Sequence, residues 1–366
     1  MLIKFAVTNY RGFAKRIEWD LTKAGNYEFN TYAIKDGVIK NGIIYGPNGS
    51  GKSNFSLALF DIVNHLTQKN KRHNYYNNFV YAGNPKGLVE FEYTFRFDKQ
   101  LIFYNYSKNR DGALVAERLQ VNGKEIFRKE GHETFTIDER EFTMDQTVQQ
   151  ELQYSANNVS IVNYLLTSYP LSKDHYLINL QFFVNSMLWF RNLDNREYIG
   201  FKTETTNIQE YIIKHNLLND FADFLQNISG QKFQFEPNSG NTSLLCNING
   251  TRILFGEMVS TGTSSLMLLY YWINWMNTAS FVFIDEFDAF YHFKLSLEVC
   301  KKLFGLDCQV YTSSHNTFLM TNDLLRPDCN FILNDNKIKP LNECTDKELR
   351  FGHNIEKLFR ANAFQV

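Results

Sequence analysis

Two kinds of hydrophobic pattern follow one another along the chain. Runs rich in β-branched and aromatic residues at 2–13 (LIKFAVTNYRGF) and 16–21 (RIEWDL) predict two short strands. A third, buried strand is predicted from about Gly42 to Tyr45, and the run 53–66 after it (SNFSLALFDIVNHL) places its apolar residues at helical spacing. The beginning of the chain therefore predicts two strands followed by a strand–turn–helix unit.

The middle of the chain changes character twice. From Leu88 to about Ile137 it is rich in strand-forming residues, with a hairpin turn predicted at Asn122-Gly123. From about Asp145 to Ile228 the apolar spacing is helical, in helices too short and aromatic for a coiled coil, and strand character returns afterwards. We expect an α/β fold in four parts: an N-terminal lobe (1–75), a β-rich lobe (76–145), a helical insertion (146–230) and a C-terminal lobe (231–366).

Composition narrows the class of protein. Apolar residues make up 44% of the 366 residues and charged residues 21%, with a net charge of −1, which is typical of globular proteins and supplies no general attraction for nucleic acid. Five cysteines without a CxxC pair predict reduced thiols. The N-terminus does not resemble a signal peptide, and the most apolar stretch, 266–284, is interrupted by polar residues. We therefore expect a soluble cytoplasmic protein that does not bind a membrane.

A glycine-rich turn follows the third predicted strand. Its sequence, GPNGSGKS at 46–53, matches the pattern G-x-x-x-x-G-K-[ST] in full and lies between a strand and a helix. Such a loop turns backbone N–H groups toward an anion at a helix N-terminus. Lys52 is predicted to reach the β- and γ-phosphates, and Ser53 to ligate Mg²⁺. Nucleotide contacts are predicted at Gly46, Pro47, Asn48, Gly49, Ser50, Gly51, Lys52, Ser53 and Asn54.

Two further strand ends carry polar residues. The run SFVFIDEF at 280–287 predicts a buried parallel strand that ends in Asp285-Glu286. Beside a phosphate loop, Asp285 is the expected ligand of the Mg²⁺ shell, and Glu286 the base that orients and deprotonates water. A shorter strand, Gln309 to Tyr311, leads to His315, which could donate to a γ-phosphate. The predicted catalytic residues are Lys52, Glu286 and His315.

Six small residues precede the long apolar stretch. Ser260 to Ser265 (STGTSS) brings hydroxyl groups and a glycine to a predicted helix start, where they either cap the helix or bind an anion. The helix behind them has one apolar face, formed by Leu266, Leu269, Tyr270, Ile273 and Met276. Both interpretations, a simple cap and half of a phosphate site, fit these residues.

The order of these motifs resembles that of the ATP-binding-cassette (ABC) ATPases, most closely the branch that contains RecF, the SMC proteins and the OLD-like (AAA15/AAA21) ATPases. TNYRGF at 8–13 is similar to the N-terminal pattern of that branch, and Ser260-Thr261-Gly262-Thr263 stands where OLD-like members have their signature. The resemblance implies a P-loop ABC-type ATPase head with a mixed sheet, in which Arg11 contacts the nucleotide. It also implies a homodimer or higher homo-oligomer, in which Ser260, Gly262 and Thr263 cap the γ-phosphate held by the other subunit.

Two features depart from the pattern of that family. The sequence does not identify the glutamine that the family has after the first helix, and Asn77 or Asn78 near Phe79 is the candidate for its role. The segment after the acidic strand, DAFYHF at 288–293, lacks the usual form, although Asp288 and His292 are candidates for the dimer seam. The resemblance is therefore strongest at the phosphate loop and the acidic strand.

The resemblance implies a regulatory function. We expect ATP and Mg²⁺ as cofactors, ATP hydrolysis, and a nucleotide-driven dimer that acts as sensor or scaffold for a separate effector, a toxin or nuclease, in prokaryotic anti-phage defence. The chain ends about fifty residues after His315, too soon for the Toprim nuclease domain of the OLD proteins, so a stand-alone ATPase is expected.

Three alternatives stay open. A RecF/SMC-like ATPase of DNA repair or chromosome maintenance would bind DNA, for which the basic run Gln68 to His73 is a candidate, although a solvated loop is its more ordinary interpretation. The energy subunit of a membrane transporter would co-purify with a membrane protein. A scaffold that binds ATP without hydrolysing it would work unchanged with Gln in place of Glu286.

Overall fold

A computed structural model of the protein describes residues 1–67, 69, 76–154, 159–191, 198–200 and 207–365. The strands of these residues, in chain order, are β1 (Leu2–Thr8), β2 (Ile17–Asp20), β3 (Ile34–Lys35), β4 (Val38–Ile39), β5 (Asn41–Tyr45), β6 (Val89–Phe97), β7 (Gln100–Lys108), β8 (Leu114–Val121), β9 (Lys124–Glu130), β10 (Thr134–Ile137), β11 (Met187–Arg191), β12 (Tyr198–Ile199), β13 (Phe235–Pro237), β14 (Leu244–Ile248), β15 (Thr251–Leu254), β16 (Phe281–Asp285), β17 (Gln309–Ser314), β18 (Asn330–Asn334) and β19 (Lys337–Pro340).

The α-helices of the described residues are α1 (Lys52–Leu59), α2 (Asp61–Leu66), α3 (Gln146–Tyr154), α4 (Ile161–Ser168), α5 (Tyr176–Asn185), α6 (Ile208–Lys214), α7 (Leu218–Ser229), α8 (Phe255–Met258), α9 (Thr261–Met276), α10 (Phe293–Phe304) and α11 (Ile355–Arg360). Within the part of the chain that the structure describes, none of them is both long and apolar enough to cross a membrane.

A mostly parallel sheet carries the strand–turn–helix unit. Its order is β12-β11-β16-β17-β5-β18-β19, with parallel pairing from β11 through β18 and an antiparallel strand at each edge. Every residue of β5, β16 and β17 is buried, as expected for parallel strands covered on both faces. The carboxyl ends of these strands therefore meet at one edge of the sheet, where α/β proteins bind ligands. The predicted α/β fold with a mixed sheet is confirmed.

The second large sheet is antiparallel, and α1 lies between it and the parallel sheet. The strand order of the antiparallel sheet, β10-β9-β8-β7-β6-β1-β2, joins the first strands of the chain to the β-rich stretch. The predicted hairpin turn between β8 and β9 is confirmed, because Asn122 and Gly123 have positive φ values of 51° and 80°. Phe55 of α1 packs against Phe5 and Trp19 with ring centroids 5.5 and 5.7 Å apart. Burial of each such ring stabilises the fold by about 1.5–3 kcal/mol.

The helix predicted after the phosphate loop is broken in two, α1 and α2. The Tyr93 hydroxyl lies 3.2 Å from the carbonyl oxygens of both Ala58 and Leu59, so these acceptors are diverted from the helix. The N–H of Val63 donates instead to the carbonyl oxygen of Phe60, at 3.1 Å. A side chain from the neighbouring sheet therefore interrupts a run whose periodicity is continuous.

The stretch predicted as helical contains a strand. After α5 ends, the apolar run continues as β11, which pairs in parallel with β16 so that Met187 lies opposite Phe281 and Arg191 opposite Asp285. A short apolar run fits a buried strand as well as a helix, and periodicity does not separate the two. The prediction of continuous helical structure is wrong at β11, because pairing with β16 decides its conformation.

Polar side chains are buried between the antiparallel sheet and α2. Lys108 Nζ donates to Asp61 Oδ2 at 2.6 Å, and the Tyr106 hydroxyl donates to the same oxygen at 2.8 Å. The His65 ring stacks on Tyr106 with centroids 4.0 Å apart, and its Nε2 lies 2.7 Å from the Tyr104 hydroxyl. We call these five residues the sheet cluster. The side chains of Lys108 and Asp61 are 3% and 0% exposed, so their ion pair is closed to solvent.

The same sheet fixes the start of α4. The buried Glu117 carboxylate accepts from the Ile161 N–H and from the Ser160 hydroxyl, each at 2.7 Å. Ser160 also caps the helix by accepting from the Asn163 N–H at 3.3 Å. A buried carboxylate of β8 therefore ties the β-rich stretch to the helices that follow it.

Candidate nucleotide site

The phosphate loop lies between β5 and α1, at the edge where the parallel strands end. Gly49 and Gly51 have φ values of 79° and 99°, a region that glycine adopts without strain. A Cβ on Gly46 would lie 2.4 Å from the Leu333 carbonyl oxygen. One on Gly51 would lie 2.9 Å from the Phe13 ring. The turn and the packing around it therefore require these glycines.

Lys52 begins α1, and its side chain turns back into the loop. The ammonium donates to the carbonyl oxygens of Gly46 and Pro47, at 2.8 and 3.3 Å, and lies 3.4 Å from His315 Nδ1. Burial lowers the pKa of Lys52, and the acidic residues at the end of β16 oppose this shift. Burial and the neighbouring ammonium also lower the pKa of His315, so a neutral imidazole faces Lys52 at neutral pH. The structure thus brings together two predicted catalytic residues.

Four polar residues meet at the carboxyl end of β16, and we call them the strand-end cluster: Asp285, Glu286, Ser313 and Arg191. Asp285 Oδ1 accepts from the Ser313 hydroxyl at 2.6 Å. Asp285 Oδ2 accepts from Nη2 and Nε of Arg191, at 2.7 and 3.1 Å. The Ser313 oxygen also accepts from the Glu286 N–H, at 2.8 Å. One hydroxyl therefore orients both acidic residues of the motif.

Glu286 leaves the strand in a left-handed backbone conformation, with φ 50°. A non-glycine residue in this region costs on the order of 1–3 kcal/mol, and such strain is typical of functional sites. The hydrogen bond to Ser313 helps to hold it there. The side chain is partly exposed, which allows the contact with water that a base requires.

The sequence did not reveal Arg191 as a site residue and gave Ser313 no role of its own. Arg191 follows an apolar run whose spacing predicts a helix, and Ser313 lies two residues before His315. Each is a polar residue at the end of a buried strand parallel to β16. That shared position is the signal that points to both.

The residues of this edge fit a triphosphate with a divalent cation. The Ser50 hydroxyl is buried and, among the described residues, has no hydrogen-bond partner, as expected of a loop that encloses an anion. Magnesium takes one or two protein oxygens together with phosphate and water, and Ser53 and Asp285 offer such oxygens. An ionised carboxylate has about four acceptor sites, and three donors reach Asp285, so acceptor capacity remains.

Arg11 lies beside α1. Its guanidinium donates to Asn54 Oδ1 at 3.0 Å, and its N–H donates to the Phe79 carbonyl oxygen at 2.7 Å. Asn77 and Asn78 line a cavity of about 610 Å³ together with Arg11, and no described residue of its lining belongs to the phosphate loop. The structure therefore groups these two asparagines with Arg11.

The Ser/Thr/Gly helix start forms a capped N-terminus for α9. The Ser260 hydroxyl accepts from the Thr263 N–H at 3.3 Å, and the Thr263 hydroxyl donates to Gln231 Oε1 at 3.1 Å. A Cβ on Gly262 would lie 2.9 Å from the Phe290 carbonyl oxygen. Within one chain, the cap is thus the role that these contacts show. Ser260 is nevertheless exposed at the surface.

The segment after the acidic strand is tied to β17. The Ser314 hydroxyl donates to Asp288 Oδ2 at 2.7 Å, and burial raises the pKa of Asp288. His292 is exposed and directly precedes α10. Asp288 therefore has a structural partner within the chain, while His292 lies at the surface.

A buried strand, a glycine loop that leads into a helix, and a second strand with an acidic end together define a P-loop nucleoside triphosphatase. The family model "AAA domain, putative AbiEii toxin, Type IV TA system" (AAA_21) matches residues 43–320. This range holds the phosphate loop, the strand-end cluster and His315, and the chain belongs to this family. Among curated proteins, none matches the chain.

Solved structures similar to this chain include two SMC heads and RecF. The SMC head bound to the C-winged helix domain of ScpA aligns over 92% of this chain and 96% of its own, with 14% identity and a TM-score of 0.45. The SMC head domain from Thermotoga maritima aligns over 93% of this chain and 98% of its own, with 13% identity and a TM-score of 0.44. The recombination mediator RecF-ATPrS of the RecFOR pathway aligns over 93% of this chain and 98% of its own, with 14% identity and a TM-score of 0.42. ScpA binding and the RecFOR pathway belong to those proteins.

Proposed function

We propose that this protein binds ATP with Mg²⁺ and hydrolyses it. The observation that carries the proposal is the convergence of the phosphate loop, the strand-end cluster and His315 at one edge of the parallel sheet. They come from segments far apart in the sequence, and the register of β5, β16 and β17 aligns them. Membership of an AAA family supports the assignment.

Each residue has a role that follows from its position. Lys52 exchanges the loop carbonyls for phosphate oxygens, and Glu286 orients the attacking water and takes its proton. The neutral His315 accepts from Lys52 at Nδ1, so its proton is on Nε2, from which it can donate to an oxygen. Ser53 and Asp285 would hold Mg²⁺, which supplies neutralisation of the phosphate charge.

We also propose that two copies of the chain share each nucleotide. The N-terminus of α9, a helix of 16 residues, carries partial positive charge and surface hydroxyls. Ser260 and Thr261 are exposed although Ser260 also caps the helix, so a phosphate on a second copy could reach them together with Gly262. Thr263, which was also predicted for this contact, is buried, and its hydroxyl donates to Gln231. This arrangement supports an ATP-dependent dimer.

The test compares wild type with Glu286→Gln, each with and without Mg-ATP. Solution mass reports the dimer, and phosphate release reports hydrolysis. We expect Glu286→Gln to lose at least about a hundredfold in hydrolysis, as for other general bases, and to accumulate a stable dimer with Mg-ATP. Glu133→Gln, which changes an exposed carboxylate in the turn between β9 and β10, should behave as wild type.

Two results would contradict the proposal. Normal hydrolysis by Glu286→Gln would show that Glu286 is not the base. If the solution mass of neither protein changes with ATP, two copies do not share a nucleotide, and the start of α9 serves only as a helix cap.

For the biological role, we propose a nucleotide-driven sensor or scaffold that controls a separate toxin or nuclease in defence. The family description names a toxin and a Type IV TA system, which supports this role. A DNA-repair ATPase is the alternative. The basic run proposed for DNA lies outside the described residues except for Lys69, whose ammonium donates to the Asn185 carbonyl oxygen at 2.6 Å. Stimulation of ATP hydrolysis by duplex DNA or DNA ends would favour the alternative.

A further inference from the structure

The strongest unassigned feature of the site is the ion pair between Arg191 and Asp285. The two residues lie opposite each other on adjacent parallel strands, and two guanidinium nitrogens converge on a single oxygen, Asp285 Oδ2, at 2.7 and 3.1 Å. Asp285 is fully buried, while the Arg191 side chain is 25% exposed. The pair therefore lies at the boundary between the protein interior and the candidate nucleotide site.

Other buried ion pairs in the described residues are sealed. Arg326 and Asp328 are 5% and 0% exposed, and Lys108 and Asp61 are 3% and 0% exposed. The cation of a sealed pair cannot leave without exposing the core. Arg191 is the most exposed of these three cations, at 25% against 5% and 3%, so it can leave its carboxylate with the least exposure of the core.

Burial gives the Asp285 carboxylate a strong need for a positive partner. A buried ionised carboxylate without a cation is destabilising, because the loss of hydration is not compensated. Arg191 supplies this charge in the structure. A divalent cation near Asp285 would supply it as well, and two cations on one carboxylate repel each other.

We propose that Arg191 is a placeholder cation, which neutralises Asp285 until a divalent metal ion replaces it. This inference rests on the proposed function, since it takes Asp285 as the carboxylate of the magnesium site. Because Arg191 ends β11, the exchange also makes the position of this strand end sensitive to metal loading. Arg191 thus acts through Asp285, as a positioning residue.

The experiment measures metal binding without turnover. Mn²⁺ serves as the probe, and its electron paramagnetic resonance signal is titrated in the presence of a non-hydrolysable ATP analogue. We compare wild type with Arg191→Met and Arg191→Lys. Removal of the competing charge should tighten the Kd for Mn²⁺ by about tenfold or more in Arg191→Met, since even one modest charge–charge repulsion is of this size. Arg191→Lys, which keeps the charge without the two-nitrogen contact, should give a smaller gain.

Thermal stability provides the second readout. Arg191→Met should have a lower Tm than wild type in EDTA, and Mn²⁺ with the analogue should restore most of this loss. Arg326→Met is the matched control, because its sealed pair lies away from the phosphate loop and its Tm deficit should persist with metal. If Arg191→Met does not fold, the Mn²⁺ affinity of Arg191→Lys still tests the inference.

The outcomes separate this inference from the proposed function. Unchanged or weaker Mn²⁺ binding by both Arg191 variants would overturn the placeholder role, while nucleotide binding stays intact. Absence of analogue binding by wild type, measured by fluorescence in EDTA and again with Mn²⁺, would overturn the proposed function itself. A Tm deficit of Arg191→Met that metal does not restore would make the pair a purely structural one.

Discussion

The sheet cluster and the strand-end cluster both bury a carboxylate against a cation, yet only the first is sealed. Lys108 and Asp61 are both enclosed, and a tyrosine hydroxyl occupies the same carboxylate oxygen. Asp285 is equally buried, but its partner Arg191 has a side that contacts solvent. A sealed pair stabilises a single arrangement of the chain, whereas an open pair can change partners.

The comparison shows that burial of an acidic residue does not distinguish a structural ion pair from a functional one. The two kinds of pair differ in whether solvent reaches the cation, and the fold determines this exposure. The Lys108 and Asp61 side chains lie between the antiparallel sheet and α2, where they are 3% and 0% exposed. Side chains at the carboxyl ends of parallel strands face the crevice in which α/β proteins bind ligands.

The largest effect is expected in the sheet cluster. Lys108→Met leaves the buried charge of Asp61 unpaired, so the free energy of unfolding should fall by about 3–5 kcal/mol, as measured by urea denaturation. The additional change Asp61→Asn removes that charge and should recover part of the loss. A loss below about 1 kcal/mol, the range of solvent-exposed pairs, would show that this pair is not sealed.

A smaller effect is expected from Ser313→Ala in the strand-end cluster. This change deprives Asp285 of a donor and the Glu286 N–H of its acceptor, which should cost about 1–3 kcal/mol of unfolding free energy. Phosphate release should slow by about tenfold or more, because both acidic residues lose their orientation.

Thr312→Val is the matched control for Ser313→Ala. The neighbouring Thr312 hydroxyl is buried and has no hydrogen-bond partner among the described residues, so its removal should cost little. Equal losses of stability in the two variants would attribute the effect to packing of β17 and not to the hydrogen bonds of Ser313.

The smallest effect is expected from pH. Desolvation, followed by repulsion from Lys108, holds the pKa of His65 well below its usual value of 6.5. In the window below about 6.5 the unfolded chain binds more protons than the folded one, so stability falls as pH decreases, by at most about 1.4 kcal/mol per pH unit for one group. His65→Gln should flatten this dependence in urea denaturation between pH 7 and 5 (about the range in which histidine titrates).

If His65→Gln leaves the pH dependence as in wild type, the His65 imidazole is accessible to protons and water, and the sheet cluster is less closed than its ion pair indicates.

The parts of the site that could be predicted are those encoded locally. The phosphate loop follows from eight consecutive residues whose glycines permit the turn, and Asp285-Glu286 follows from an apolar run with an acidic end. Both predictions concern neighbours in the sequence. For the start of α9, the sequence also predicts a helix cap, because a cap involves only residues that are close together in the sequence.

Arg191 could not be predicted because its role depends on the order of strands in the sheet. Its contact with Asp285 requires β11 to lie beside β16, and no periodicity in 145–228 encodes that neighbour. The break between α1 and α2 has the same origin, since the Tyr93 hydroxyl that causes it comes from β6. Local pattern thus determines which chemistry is available, and long-range pairing determines which side chains share it.

The connection between α5 and β11 constrains how this protein can diversify. It consists of one residue, Ser186, whose carbonyl oxygen accepts from the Ser280 N–H at 3.0 Å just before β16. Side chains alternate between the two faces of a strand, so a shift of β11 by one residue against β16 would turn Arg191 to the opposite face from Asp285. A change of length in this connection therefore keeps the contact between Arg191 and Asp285 only if the pairing of β11 with β16 stays in register.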